Sequence, residues 1–206
     1  MARNAEWHLS HAGWRDRIGT WLTYSKPQDL LNSDIFFDAM VVHGDRAMGA
    51  ALHRDALAAA GKARNFLRLM AMNAADINVP LGWFGRFRLS DGRLDLKRGG
   101  ILPIFSAARV LALTHGLEAR STPERLEGAR GKNDVPEVII DNLIEAHRIL
   151  LGAILHQQLV DIELGIALSN RVAPGDLLAA ARERLGWALE QVNAVPSLLG
   201  DPVSAL

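Results

Sequence analysis

The stretch 136–164, PEVIIDNLIEAHRILLGAILHQQLVDIEL, decides the fold. Its apolar positions Ile139, Ile140, Leu143, Ile144, Ile149, Leu150, Leu151, Ile154 and Leu155 recur at helical spacing and cover more than one stripe. That pattern predicts one long, largely buried helix starting at Pro136, around which the rest of the chain packs. The neighbouring segments read the same way. Trp7, Trp14, Ile18, Trp21 and Leu22 share a helical face before Pro27, with tryptophan at every seventh position forming an aromatic ridge. Such a ridge is normally core; exposed, it would mark a docking surface.

A short helix is expected over Asp34–Met40, then helices from Asp45 to Gly61, Asn65 to Ile77 and Ile101 to Thr114, the last closed by Gly116. Thr122-Pro123-Glu124 reads as a helix start with threonine as the cap, and a final helix runs from Asp176 to about Val192. Only residues 84–97 alternate like strands, with Asp91-Gly92 as the turn, which predicts one small β-hairpin lying on the helical body. The expected fold is therefore an all-α helical bundle around one long central helix, with a single hairpin at about 84–97, in one domain spanning 1–206.

Composition narrows the function classes. Lysine plus arginine and aspartate plus glutamate number 23 each, so no bulk field draws the chain to DNA, RNA or an anionic membrane. Cysteine is absent, which removes disulfides and thiolate metal sites and fits a reducing, cytoplasmic compartment. No apolar run is long enough to span a bilayer. The phosphate-loop, dinucleotide-binding, zinc-protease and serine-hydrolase motifs are all missing, so no complete catalytic site is expected.

Three groups of residues could carry chemistry. Asp34, Asp38 and Asp45 could hold a metal, or Asp34 (or Ser33) and Asp45 could cap helices, which is the more usual use of aspartate near a helix start. His147 and His156 lie on the long helix; a metal site needs three or more converging ligands, so hydrogen-bonded structure is the simpler reading for a lone histidine there. Arg86, Arg88, Arg93, Lys97 and Arg98 cluster around the hairpin, with Arg109, Arg120 and Arg125 following. Lys97-Arg98 precedes Gly99-Gly100 at a helix start, where a phosphate could meet two cations and free backbone N–H groups. A solvated charged hairpin is the alternative.

Several ordered motifs resemble one family. Leu30-Leu31-Asn32-Ser33-Asp34-Ile35-Phe36-Phe37-Asp38 with Val42-His43-Gly44-Asp45, then Pro80-Leu81-Gly82-Trp83-Phe84-Gly85-Arg86, are similar to segments of the nucleotidyltransferase substrate-binding domain family. Leu94-Asp95-Leu96-Lys97-Arg98-Gly99-Gly100-Ile101-Leu102-Pro103, Ala107-Ala108-Arg109-Val110-Leu111-Ala112-Leu113, Thr122-Pro123-Glu124-Arg125-Leu126 and His156-Gln157 extend the resemblance over about 7–192. It implies a helical domain of bacterial, uridylyltransferase-like nucleotidyltransferases, linked in that family to CBS and cyclic-nucleotide-binding modules and hence to signal transduction.

In such proteins a separate domain carries a Gly-Ser motif and paired aspartates that bind magnesium; neither motif occurs here. The resemblance thus implies a non-catalytic substrate- or nucleotide-contacting domain. It would bind no metal or cofactor alone, meet magnesium only together with a catalytic domain in cis or trans, and could form a homo-oligomer. Lys97, Arg98, Arg109, Thr122, Arg125 and His156 would be the contacts to substrate or nucleotide. The alternative is a helical protein–protein interaction or regulatory module without nucleotide contact.

Overall fold

The computed structural model describes residues 3–132 and 136–200, and the fold within them is all-α with one very small sheet. A 3₁₀ turn at Ala5–Trp7 leads into α1 (His11–Tyr24), α2 (Pro27–Asp38), α3 (Arg46–Ala60) and α4 (Arg64–Ala75). β1 (Leu94–Asp95) and a π-helical turn at Lys97–Ile101 precede α5 (Leu102–His115). Then follow α6 (Thr122–Gly128), α7 (Glu137–Glu163), β2 (Arg171–Val172), α8 (Ala179–Val192) and α9 (Val195–Leu199).

Local chemistry sets most boundaries. Ser10 caps α1 by accepting the Gly13 N–H, and Ser25 closes it in the left-handed region at φ 50°. Pro27 opens α2 with Asp29 accepting the Lys26 N–H, so this helix starts seven residues before the expected Asp34. Asp45 caps α3 through the Met48 N–H, as expected. Asp34 does not cap: it lies inside α2. Ser121, not Thr122, caps α6 by accepting the Glu124 N–H.

Two hydrophobic clusters meet at α5. One gathers buried side chains of α1 to α4, among them Ile18, Trp21, Phe37, Leu57 and Phe66, with Val110 and Leu113 of α5. The other packs Ile104, Ala107, Ala108 and Leu111 of α5 against α7, α8 and α9. A helix in contact with both clusters must be apolar nearly all round, and α5 is buried at every position from Ala107 to Leu113.

The long helix α7 is buried on one face only. Ile140, Leu143, His147, Leu150, Ile154, Gln157 and Asp161 are covered at alternating three- and four-residue intervals, a heptad seam against its neighbours. Leu151, Leu155, Leu159 and Ile162 stay exposed. The apolar runs at 149–151 and 154–155 made the helix look largely buried, because sequence alone does not show which stripe acquires a partner.

The turn at Asp91-Gly92 forms as expected, with both residues at positive φ (50° and 74°) and Ser90 bridging Arg93. The strand after it finds a distant partner. β1 pairs antiparallel with β2, placing Leu94 opposite Val172 and Asp95 opposite Arg171. The first arm is not extended: Leu81 bridges Phe87 around a tip where Phe84 takes a left-handed conformation (φ 57°).

Candidate functional site

The small sheet, the two preceding turns and the π turn surround a cleft with a surplus of positive charge. One hollow of about 430 Å³ is lined by Asn78, Pro80, Arg88, Ser90, Arg93, Asp95, Arg98, Gly99 and Arg171. A second, of about 490 Å³, shares Asp95, Arg98 and Arg171 and adds Lys97, Leu102, Ser169 and Asn170. The π turn brings Lys97 and Arg98 here, and the sheet register puts Arg171 beside Asp95.

The cations of this cleft are not equivalent. Arg93 grips Asp161 with two hydrogen bonds of 2.8 Å, a bidentate pair. That bond holds the Asp161 carboxyl below the usual range for an aspartate. Gln157 completes the junction, donating to Asp161 at 3.0 Å and accepting the Ala173 N–H at 2.9 Å. Arg171 donates to the Ser90 carbonyl and pairs with Asp91 at 3.3 Å. Arg88 donates to Asn78 at 2.9 Å and to the Val79 carbonyl, both neutral acceptors, and has no ion pair among the described residues.

Lys97 and Arg98 are exposed, and neither side chain has an ion pair among the described residues. The backbone donors expected beside them are committed differently. Asp95 accepts the Arg98 N–H at 3.0 Å, so a carboxylate already occupies the start of the turn. Gly99 and Gly100 are buried for packing: a Cβ on Gly99 would lie 2.3 Å from Pro80 Cδ, and one on Gly100 2.8 Å from Leu150 Cδ1. What this cleft offers a ligand is side-chain charge rather than a cradle of amides.

Arg109 and Arg125 sit elsewhere, in a buried ionic cluster joining α2, α5 and α6. Arg109, 1% exposed, reaches Asp34 at 2.6 Å and also bonds Asp38, with its guanidinium 4.2 Å above the Phe105 ring. Arg125 donates to Asp38 at 2.7 Å, to the Ala119 carbonyl at 2.9 Å and to the Phe37 carbonyl at 3.4 Å. Burial pushes the Asp34 carboxyl above the usual range and outweighs the lowering by Arg109. Asp34 and Asp38 thus face two arginines, and no group of three or more His, Asp or Glu side chains among the described residues could hold a metal.

The remaining sequence candidates are scattered. Thr122 is buried at the start of α6, and His156 is exposed on α7. Within the His156-Gln157 pair it is the glutamine that is buried and hydrogen-bonded, to Asp161 and to the Ala173 N–H just after β2. Sequence reading singled out Lys97 and Arg98, counted Arg88 and Arg93 among the basic residues, quoted Gln157 only as part of the resemblance, and missed Arg171 and Asp161. Asp161 carried a signal: a charged residue in register with the buried heptad seam demands a partner.

The fold and cleft define a helical module that presents Lys97 and Arg98 beside a small sheet and holds Arg93, Arg109 and Arg125 in ion pairs. The chain belongs to the Putative nucleotidyltransferase substrate binding domain family, whose profile matches residues 64–201. The stretch 30–45, which carried part of the sequence resemblance, lies before the matched segment. No curated protein and no solved structure matches the chain.

Proposed function

We propose that this chain is the non-catalytic, nucleotide-contacting part of a uridylyltransferase-like nucleotidyltransferase working in bacterial cytoplasmic signalling. The observation that carries the reading is the positive charge of Lys97, Arg98 and Arg88, without ion pairs among the described residues, in the cleft beside β1 and β2. Lys97 and Arg98 contact the phosphates of a nucleotide. Arg109 and Arg125 act indirectly, by fixing α2 against α5 and α6. Magnesium and the reacting groups belong to a catalytic domain that completes the other wall of the site. Magnesium held by that domain would supply charge stabilisation for transfer at the α-phosphate. Neither nucleic acid nor a membrane is a partner in this reading.

Half a cleft leaves a ligand largely solvated, so the chain alone binds ATP or UTP weakly, in the high-micromolar to millimolar range, roughly −4 to −5.5 kcal/mol. Calorimetric titration tests this. Affinity falls as salt screens the contacts, and Lys97→Ala with Arg98→Ala abolishes it while leaving the melting temperature almost unchanged. A double variant that binds as before but melts many degrees lower overturns the assignment. The interaction-module reading would then replace it, and the exposed tip of Trp83 (86%) and Phe84 (97%) favours that as the second reading.

A further inference from the structure

Another hollow, of about 380 Å³, opens among α1, α2 and α3. Apart from Arg120 its lining precedes the family-matched segment, so the family description does not account for it. Its walls are aromatic. The Trp7 and Trp14 rings lie 5.7 Å apart and Phe36 lies 5.5 Å from Trp14, all in tilted arrangements. Trp7 and Trp14 are only half-buried, so the tryptophan ridge is core along Trp21 and open toward this hollow at its N-terminal end. The space is of the size that holds small organic ligands, and aromatic walls with a few polar groups are their usual lining.

The polar groups are two cations and a neutral imidazole. Arg46 is exposed and has no ion pair among the described residues. Arg120, which lines the hollow, donates from Nε to the Ala39 carbonyl at 3.2 Å and has no ion pair among the described residues. His53 is buried with Nε2 3.3 Å from the Phe37 carbonyl; a carbonyl only accepts, so Nε2 carries the hydrogen and Nδ1 is left as an acceptor. Burial also lowers the His53 pKa, which keeps the ring neutral. Two guanidiniums oppose a cationic guest, although aromatic walls alone would suit one. They favour a flat ring that carries negative charge, stacked on the tryptophans with its acid toward Arg46 and Arg120.

We infer that this hollow is a ligand site, separate from the Lys97–Arg98 cleft, for a planar aromatic ring bearing an anionic group. The chemistry is shared by nucleoside monophosphates and by aromatic carboxylic acids.

The test is tryptophan fluorescence of the whole chain, titrated with AMP, naphthalene-2-carboxylate, adenosine and inorganic phosphate. AMP or the naphthoate quenches saturably; adenosine and phosphate, each holding half of the recognised chemistry, bind at least tenfold more weakly. Saturation by AMP alone makes the ligand nucleotide-like, and saturation by the naphthoate alone makes it an aromatic acid. The response persists in Trp83→Phe and in the Lys97→Ala, Arg98→Ala variant, which separates it from the cleft. Arg46→Ala with Arg120→Ala weakens it at least tenfold, and Ala50→Phe, filling the hollow from an exposed helical position, abolishes it in a protein that melts normally. Absence of saturable quenching by either ring-bearing acid, or undiminished binding by the arginine double variant or by Ala50→Phe, overturns the inference.

Discussion

Asp38→Ala is the sharpest probe of how this chain holds its first helices to the family domain. Asp38 accepts from both Arg109 and Arg125, and those side chains are only 1% and 3% exposed. Removing it leaves two buried guanidiniums short of charge compensation, and Arg109 Nε and Arg125 Nη1 already lack hydrogen-bond partners among the described residues. Breaking a buried ion pair from one side costs about 3–5 kcal/mol. Asp38 is itself 36% exposed, Asp34 remains on Arg109 and the Phe37 carbonyl remains on Arg125, so the low end applies, about 3 kcal/mol. For a domain of this length that lowers the melting temperature by about 6–12 °C. Thermal and urea denaturation followed by circular dichroism measure it. The loss in Asp38→Ala combined with Arg109→Ala falls well short of the sum of the single losses, because the two share one interaction. A melting temperature unchanged within 2 °C or so, or strictly additive losses, would refute the idea that this cluster carries load.

Acid titration gives another prediction. Asp161 has its folded pKa below the ordinary 3.8 because of Arg93, so its stabilisation is present above about that pH and is lost as pH falls through the lowered value. Asp161→Asn is therefore less stable than wild type at neutral pH, and the gap narrows below pH 3.8, whereas a constant gap contradicts the pairing. Asp34, whose folded pKa is raised, opposes this trend: its ionisation costs stability as pH rises. His53 and His147 have folded pKa values lowered from 6.5 by burial, so both favour folding above that pH and withdraw support as pH falls; His147→Leu flattens the curve between about pH 7 and 5. Gly99→Ala puts a methyl against Pro80 and the Asn78 carbonyl and costs about 1–3 kcal/mol in denaturant melts. Gly152→Ala, with nothing within 4 Å of the new carbon and an ordinary helical site, raises stability by about 0.5–1 kcal/mol.

The sequence by itself determined the secondary structure that depends on near neighbours. Helical spacing gave α3, α4, α5, α7 and α8 to within a few residues, and Asp45, Gly116, Pro136 and the Asp91-Gly92 turn mark ends fixed by backbone hydrogen bonds and dihedral preference. It also picked out Lys97 and Arg98 beside the turn. Tertiary structure decided what each long side chain meets. Arginine looks the same in sequence whether it is solvated, paired or buried. Arg98 has no ion pair among the described residues, Arg93 is clamped by Asp161, and Arg109 is enclosed by two aspartates more than seventy residues earlier in the chain. The partner of β1 follows the same logic, for Leu94 meets Val172 only once α7 has carried the chain back beside it. Near-neighbour preferences are written in adjacent residues, whereas charge compensation and strand pairing depend on distances across the fold, which only the packed chain sets.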